Sequence, residues 1–155
     1  MTDKKEPWKL NVGTGYQFLQ QYFTSIERFR AVEFERNWNI TNAVFSSDQQ
    51  VFDAYLGLEK KKKGDVSYRV NVLKNLGEYD GIRNSLFAYY NFKGFTFKGD
   101  GSYLTTKGIN NTLFIKHKGT LSKKIDWLVL GVEEETEQNK FFVNEQTDSL
   151  QANSF

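Results

Sequence analysis

Apolar and polar residues alternate with a period of two along much of this 155-residue chain. A β-strand turns successive side chains to opposite faces, so the pattern predicts strands with one apolar and one polar side. The sharpest case is 66–73, where Val66, Tyr68, Val70 and Val72 alternate with Ser67, Arg69 and Asn71. Before it, 51–59 sets Phe52, Ala54, Leu56 and Leu58 on one parity. After it, 86–92 sets Leu86, Ala88, Tyr90 and Phe92 on one side and Phe87 and Tyr89 on the other. Phe95, Phe97, Gly99, Gly101 and Tyr103 share a side over 95–105. Leu113, Ile115, His117, Gly119 and Leu121 share one over 112–121, and Ile125, Trp127 and Val129 share one over 125–131. A further strand is expected at 30–40, where Val32, Phe34, Trp38 and Ile40 fall on the parity of Arg30 and Arg36. A helix with Glu27, Arg28, Arg30 and Glu33 as surface pairs is the alternative there.

The connections alternate between short and long. Lys61-Lys62-Lys63-Gly64-Asp65, Lys93-Gly94 and Ser122-Lys123-Lys124 predict tight turns, and 75–84, 106–111 and 133–148 predict longer loops. Within 50–133 none has the dozen residues that a crossover between parallel strands needs. The fold class is therefore all-β: an antiparallel up-and-down meander of six to eight strands, an open or incomplete β-barrel with a less regular N-terminal segment. A closed spanning barrel in one bacterial chain has at least 8 strands, and counting 30–40 only seven are found here. The chain reads as a single β domain or a fragment of a larger barrel. Residues 1–25 form an irregular lead-in in which Gly13-Thr14-Gly15 is a bend, 26–136 carry the strands, and 137–155 are a loop with a partial strand near Phe141.

Composition narrows the class. Hydrophobic residues are 39% and the mean hydropathy is −0.61. No apolar run approaches the ~18 residues of a spanning helix, whereas a spanning strand needs only every second residue apolar. Aromatic residues are 16%, which suits strands and interfacial girdles. The formal net charge of +2 argues against a nucleic-acid partner, and the Lys60–Lys63 run reads as a solvated turn. With no cysteine, disulfide scaffolds and thiol chemistry are excluded.

Candidate chemistry is sparse. His117 is the one histidine, and it sits in mid-strand with no nucleophile motif around any serine. Glu133, Glu134, Glu135 and Glu137 lack the spacing of a calcium loop and read as a solvated loop entrance. No catalytic, cofactor or metal residues are assigned, and no enzyme is expected.

The segments SIERFRAVEFERNWNI, GDVSYRVNVLKN, FKGFTFKGDGSYLTTKG and KIDWLVLGVEEE resemble stretches of large outer-membrane β-barrel proteins of Gram-negative bacteria. The resemblance covers about residues 25–140. It rests on alternating aromatic-rich strands, short Lys/Gly turns and polar loops. It implies a membrane-spanning barrel segment of the bacterial outer membrane, structural or transport-associated, carried by a longer exported chain. Its partners would be outer-membrane lipid and the rest of the barrel. Short turns would lie on the periplasmic side and long loops outside. The lipid-facing side would carry Val66, Tyr68, Val70, Val72, Tyr90, Phe92, Phe95, Phe97 and Trp127. Contacts at the long-loop end would fall to Tyr79, Arg83, Glu133 and Glu135. Residues 1–7 are polar, with no apolar signal-peptide run behind them. Were 1–155 the whole protein, the expectation would shift to a cytoplasmic, lipocalin-like barrel or curved sheet binding an apolar ligand or a protein partner.

Overall fold

Alternating β-branched and aromatic residues pair into a sheet wherever the pattern is clean, and the sheet extends well past those stretches. The computed structural model describes residues 7–20, 38, 48–61, 63–75, 79–108, 111–142 and 153–154. Seven long strands follow one another: β1 Lys9–Leu19, β2 Gln49–Lys60, β3 Gly64–Asn75, β4 Tyr79–Phe92, β5 Phe95–Gly108, β6 Asn111–Ile125 and β7 Leu128–Phe142. A two-residue strand, β8 Asn153–Ser154, pairs with Gln138 and Asn139 of β7. The order is β1 to β8 without a crossover, and every pairing is antiparallel. The fold is thus the all-β up-and-down meander that the alternation predicts. It is not closed into a barrel, because β1 pairs with β2 alone. Among the described residues there is no helix.

Several expected boundaries are corrected. Lys9–Leu19 is a strand, so the irregular lead-in and the bend at Gly13-Thr14-Gly15 give way to β1. The long loop expected at 75–84 shrinks to 76–78, because β4 begins at Tyr79. The loop expected at 106–111 shrinks to 109–110. The loop at 133–148 is largely strand, because β7 runs to Phe142. Backbone pairing explains all of these. A strand beside a paired neighbour continues through polar residues, since the ladder bonds belong to the backbone. The alternation of short and long hairpins therefore fails for the connections from β2 to β7. The strand expected at 30–40 lies outside the described residues, Trp38 excepted.

Ser122-Lys123-Lys124 is not a turn. Those residues complete β6, and the chain reverses at Asp126-Trp127. Asp126 takes φ 48°, a conformation that Asp tolerates better than most residues. At the Lys93-Gly94 reversal both residues have positive φ, 48° and 81°, which matches the right-handed twist of the flanking strands.

The hairpins at this end are staggered. Gly64, where β3 starts, pairs with Tyr90, and β4 runs two residues further to Phe92. Phe95, where β5 starts, pairs with Lys123, and β6 runs two further to Ile125. Strand lengths rise accordingly from 12 to 14 to 15 residues.

Among the described residues the buried core is small and lies at the opposite end. Trp38, Leu73 and Leu104 form it, with Val51, Tyr79 and Phe114 packed around them. Trp38 arrives from the chain between β1 and β2. The Tyr79 hydroxyl donates to its backbone oxygen at 2.5 Å. Its ring rests over Gly81, where a Cβ would come within 3.0 Å of Trp38 carbons. The lack of a side chain at Gly81 therefore leaves room for both the Trp38 and the Tyr79 rings.

Candidate functional site

Cross-strand partners share a face, so the register assigns every side chain to one of two faces. One face is largely apolar across β1 to β5, with Asn84 among its residues, and turns polar at His117 of β6 and Glu134 and Thr136 of β7. It carries Leu10, Val12 and Tyr16 of β1, Phe52, Leu56 and Leu58 of β2, and Val66, Tyr68, Val70 and Val72 of β3. It continues with Ile82, Leu86, Tyr90 and Phe92 of β4, Phe95, Phe97 and Tyr103 of β5, and Leu121 of β6. Every large apolar side chain that stands exposed on β1 to β6 lies on this face. Eight of the nine residues expected to share an apolar surface are brought together here. The ninth, Trp127, is corrected: it sits in the β6–β7 turn and is 90% exposed.

The other face is polar and concave. Tyr55, Ser67, Arg69, Asn71, Arg83, Ser85, Asp100, Ser102, Lys116 and Glu137, together with Leu86, Phe87, Gly101 and Phe114, line an open hollow of about 430 Å³. These residues come from β2 through β7, so the sheet must curve around its polar side for one hollow to reach them. The Trp38–Leu73–Leu104 cluster sits on this same face, towards the end from which residues 20–48 and 143–152 leave.

The four residues expected at a long-loop end separate. Tyr79 lies at that end, half-buried against Trp38. Arg83 is corrected to the middle of β4, opposite Asn71 and Leu104, on the wall of the hollow. Glu133 and Glu135 are corrected to mid-β7, opposite Thr120 and Lys118. Lys118 binds Glu133 at 2.6 Å and Glu135 at 3.2 Å, and Lys116 binds Glu135 at 3.2 Å and Glu137 at 3.4 Å. The result is a zigzag of five alternating charges across β6 and β7. The acidic run is strand because each alternate glutamate meets a lysine across the ladder. Single exposed pairs contribute little, but a reversal inside a shared network sets like charges against each other. Glu135→Lys is accordingly expected to destabilise the sheet at low salt and to recover as salt rises. The screening length shortens from ~10 Å at 0.1 M to ~3 Å at 1 M ionic strength. Denaturation midpoints at those two ionic strengths check this, and a salt-independent midpoint difference would contradict it.

His117 stands on the apolar face, with Lys116 and Lys118 on the opposite one. Among the described residues no group of three metal-binding side chains forms. At the staggered hairpin end, lysines rest over aromatic rings. Lys93 lies 5.2 Å from the Phe92 ring centre, Lys123 4.4 Å from Phe95, and Lys60 5.8 Å from Trp8.

No protein-family model, curated protein or solved structure matches this chain.

Proposed function

We propose that the chain is a wall segment of a membrane-spanning β-barrel in the bacterial outer membrane, structural or transport-associated rather than catalytic. Its apolar face meets lipid, its polar face lines an aqueous lumen, and further strands complete the wall. The observation that carries this reading is the sidedness of the sheet. Charged and hydroxyl side chains occupy the concave side, and large aliphatic and aromatic side chains stand exposed on the other. A sheet in water buries its apolar face, and an exposed apolar surface of this extent marks a partner or a membrane. Spanning barrels carry apolar residues outwards and polar residues inwards.

The stagger of the hairpins supports the same reading. Each hairpin runs two residues beyond the one before it. Two residues of advance, ~6.8 Å, over two strand spacings, ~9.6 Å, bring the turns level when strands tilt by ~35°. Spanning barrels tilt their strands by ~35–45°. Ten rises separate Ile82 from Phe92 on the apolar face. They span ~34 Å along β4 and ~28 Å along the membrane normal at that tilt, against an apolar band of ~25 Å. Lysines over aromatic rings at the hairpin end suit a membrane–water interface. With long connections outside, that end faces the periplasm.

The soluble, lipocalin-like alternative needs an apolar interior for an apolar ligand. The concave face carries Arg69, Arg83, Lys116, Asp100 and Glu137 beside Phe87 and Phe114, and five charged side chains suit an aqueous lumen better than an apolar ligand. Diluting the unfolded full chain into phospholipid vesicles tests the proposal. The expected result is vesicle-dependent β-structure and protection from added protease. A stable detergent-free monomer with a cooperative melt would overturn it.

A further inference from the structure

Arg69 and Arg83 stand on adjacent strands of the polar face. Arg69 pairs with Ser85, two residues from Arg83, so the two arginines are diagonal neighbours. Diagonal neighbours lie ~7–8 Å apart at the backbone, within reach of long side chains. Both line the hollow, together with Ser67, Asn71, Ser85 and Ser102. Arg69 is steadied by the Tyr55 ring, whose centre lies 5.4 Å from its guanidinium carbon.

Among the described residues neither guanidinium has a carboxylate within ion-pair distance. The nearby acids are engaged or displaced. Glu137 is held by Lys116. Asp53 turns its carboxylate towards Gly15 of β1, away from β3. Asp100 is on β5, two strands from Arg69 and opposite Phe87. Two like charges therefore share one concave wall with hydroxyl and amide groups around them, and among the described residues the carboxylates of that hollow, Asp100 and Glu137, are not ion-paired to either. A guanidinium offers a planar fork that fits two oxygens at once.

We propose that Arg69 and Arg83 together hold a small oxyanion in this hollow, a phosphate or the carboxylate of a small organic solute. Ser67, Asn71, Ser85 and Ser102 supply the remaining hydrogen bonds. The inference needs the polar hollow alone and stands whether or not the opposite face meets lipid.

Calorimetric titration of the folded full chain in non-ionic detergent, with inorganic phosphate in one arm and acetate in the other, tests it. Saturable binding is expected in at least one arm. Tighter binding of phosphate assigns the phosphate class, and tighter binding of acetate the carboxylate class. Arg69→Gln and Arg83→Gln are each expected to weaken that binding by roughly ten- to a hundredfold, the worth of a charged hydrogen bond. Lys98→Gln removes the same charge from β5 outside the hollow and is expected to change it less than about twofold, as a distant screened charge should. Should a glutamine variant fail to fold, Arg83→Lys keeps the charge, loses the fork, and is expected to bind measurably more weakly. No saturable binding in either arm, or an equal loss in Lys98→Gln, would overturn the proposal.

Discussion

Replacing Leu56 by arginine is expected to destabilise the lipid-embedded chain by ~2–4 kcal/mol, the cost of a cation near the bilayer midplane on a barrel's lipid face. Leu56 is in the middle of β2, on the apolar face, between Val12 and Tyr68 of the neighbouring strands. It is exposed, so the same substitution on a water-facing surface would stay within ~0.5 kcal/mol. The surrounding medium decides the outcome. Thr120→Arg provides the contrast. Thr120 is on the polar face opposite Glu133, and an arginine there is expected to change stability by no more than ~0.5 kcal/mol. Urea unfolding from vesicles checks both. Equal, small effects would place the apolar face in water.

Trp38→Ala is expected to cost ~3–5 kcal/mol, the usual penalty for emptying a large aromatic site. Trp38 is 4% exposed and closes the one buried cluster among the described residues, with Leu73 and Leu104. Gly81→Val should act on the same contact from below, since even a Cβ there meets the indole. Because both substitutions disturb one contact, their costs should not add. With the indole gone, valine loses one of the two rings it meets, the Tyr79 ring remaining, and the double variant is expected to be less destabilised than the sum of the singles. Additive costs in denaturant titration would mean that Trp38 does not rest on Gly81.

The alternation at Val66, Tyr68, Val70 and Val72 made β3 and its faces legible because every second side chain there is strongly apolar. Where that contrast weakens, the sequence reading lost the strand. At the start of β4, Asp80 and Asn84 sit on the apolar parity and blur it. In β7, Glu134 and Gln138 do the same. A usable signal was present in the charges. Lys116 and Lys118 are spaced by two, as are Glu133, Glu135 and Glu137, and opposite charges at period two are what facing strands require. The β6–β7 turn was also legible in part, since Asp126 tolerates positive φ more readily than Ser122, Lys123 or Lys124. The hollow was not legible. Arg69 falls on the polar parity of its strand, but Arg83 falls in the stretch expected as a long loop, and the adjacency of the two depends on the β3–β4 register, which no local pattern reveals.

The central claim is that the two faces of one strand meet different solvents. The chain has no cysteine, so single spin-labelled cysteines placed along β4 report their own positions alone. Labels at Ile82, Leu86 and Tyr90 probe the apolar face, and labels at Ser85, Phe87 and Tyr89 probe the polar face. With the full chain in vesicles, collisions with dissolved oxygen and with a water-soluble nickel chelate are the measurement. The account predicts a period-two alternation: oxygen favoured at the even positions and the chelate at the odd ones. Chelate access at both sets, with no alternation, would contradict it.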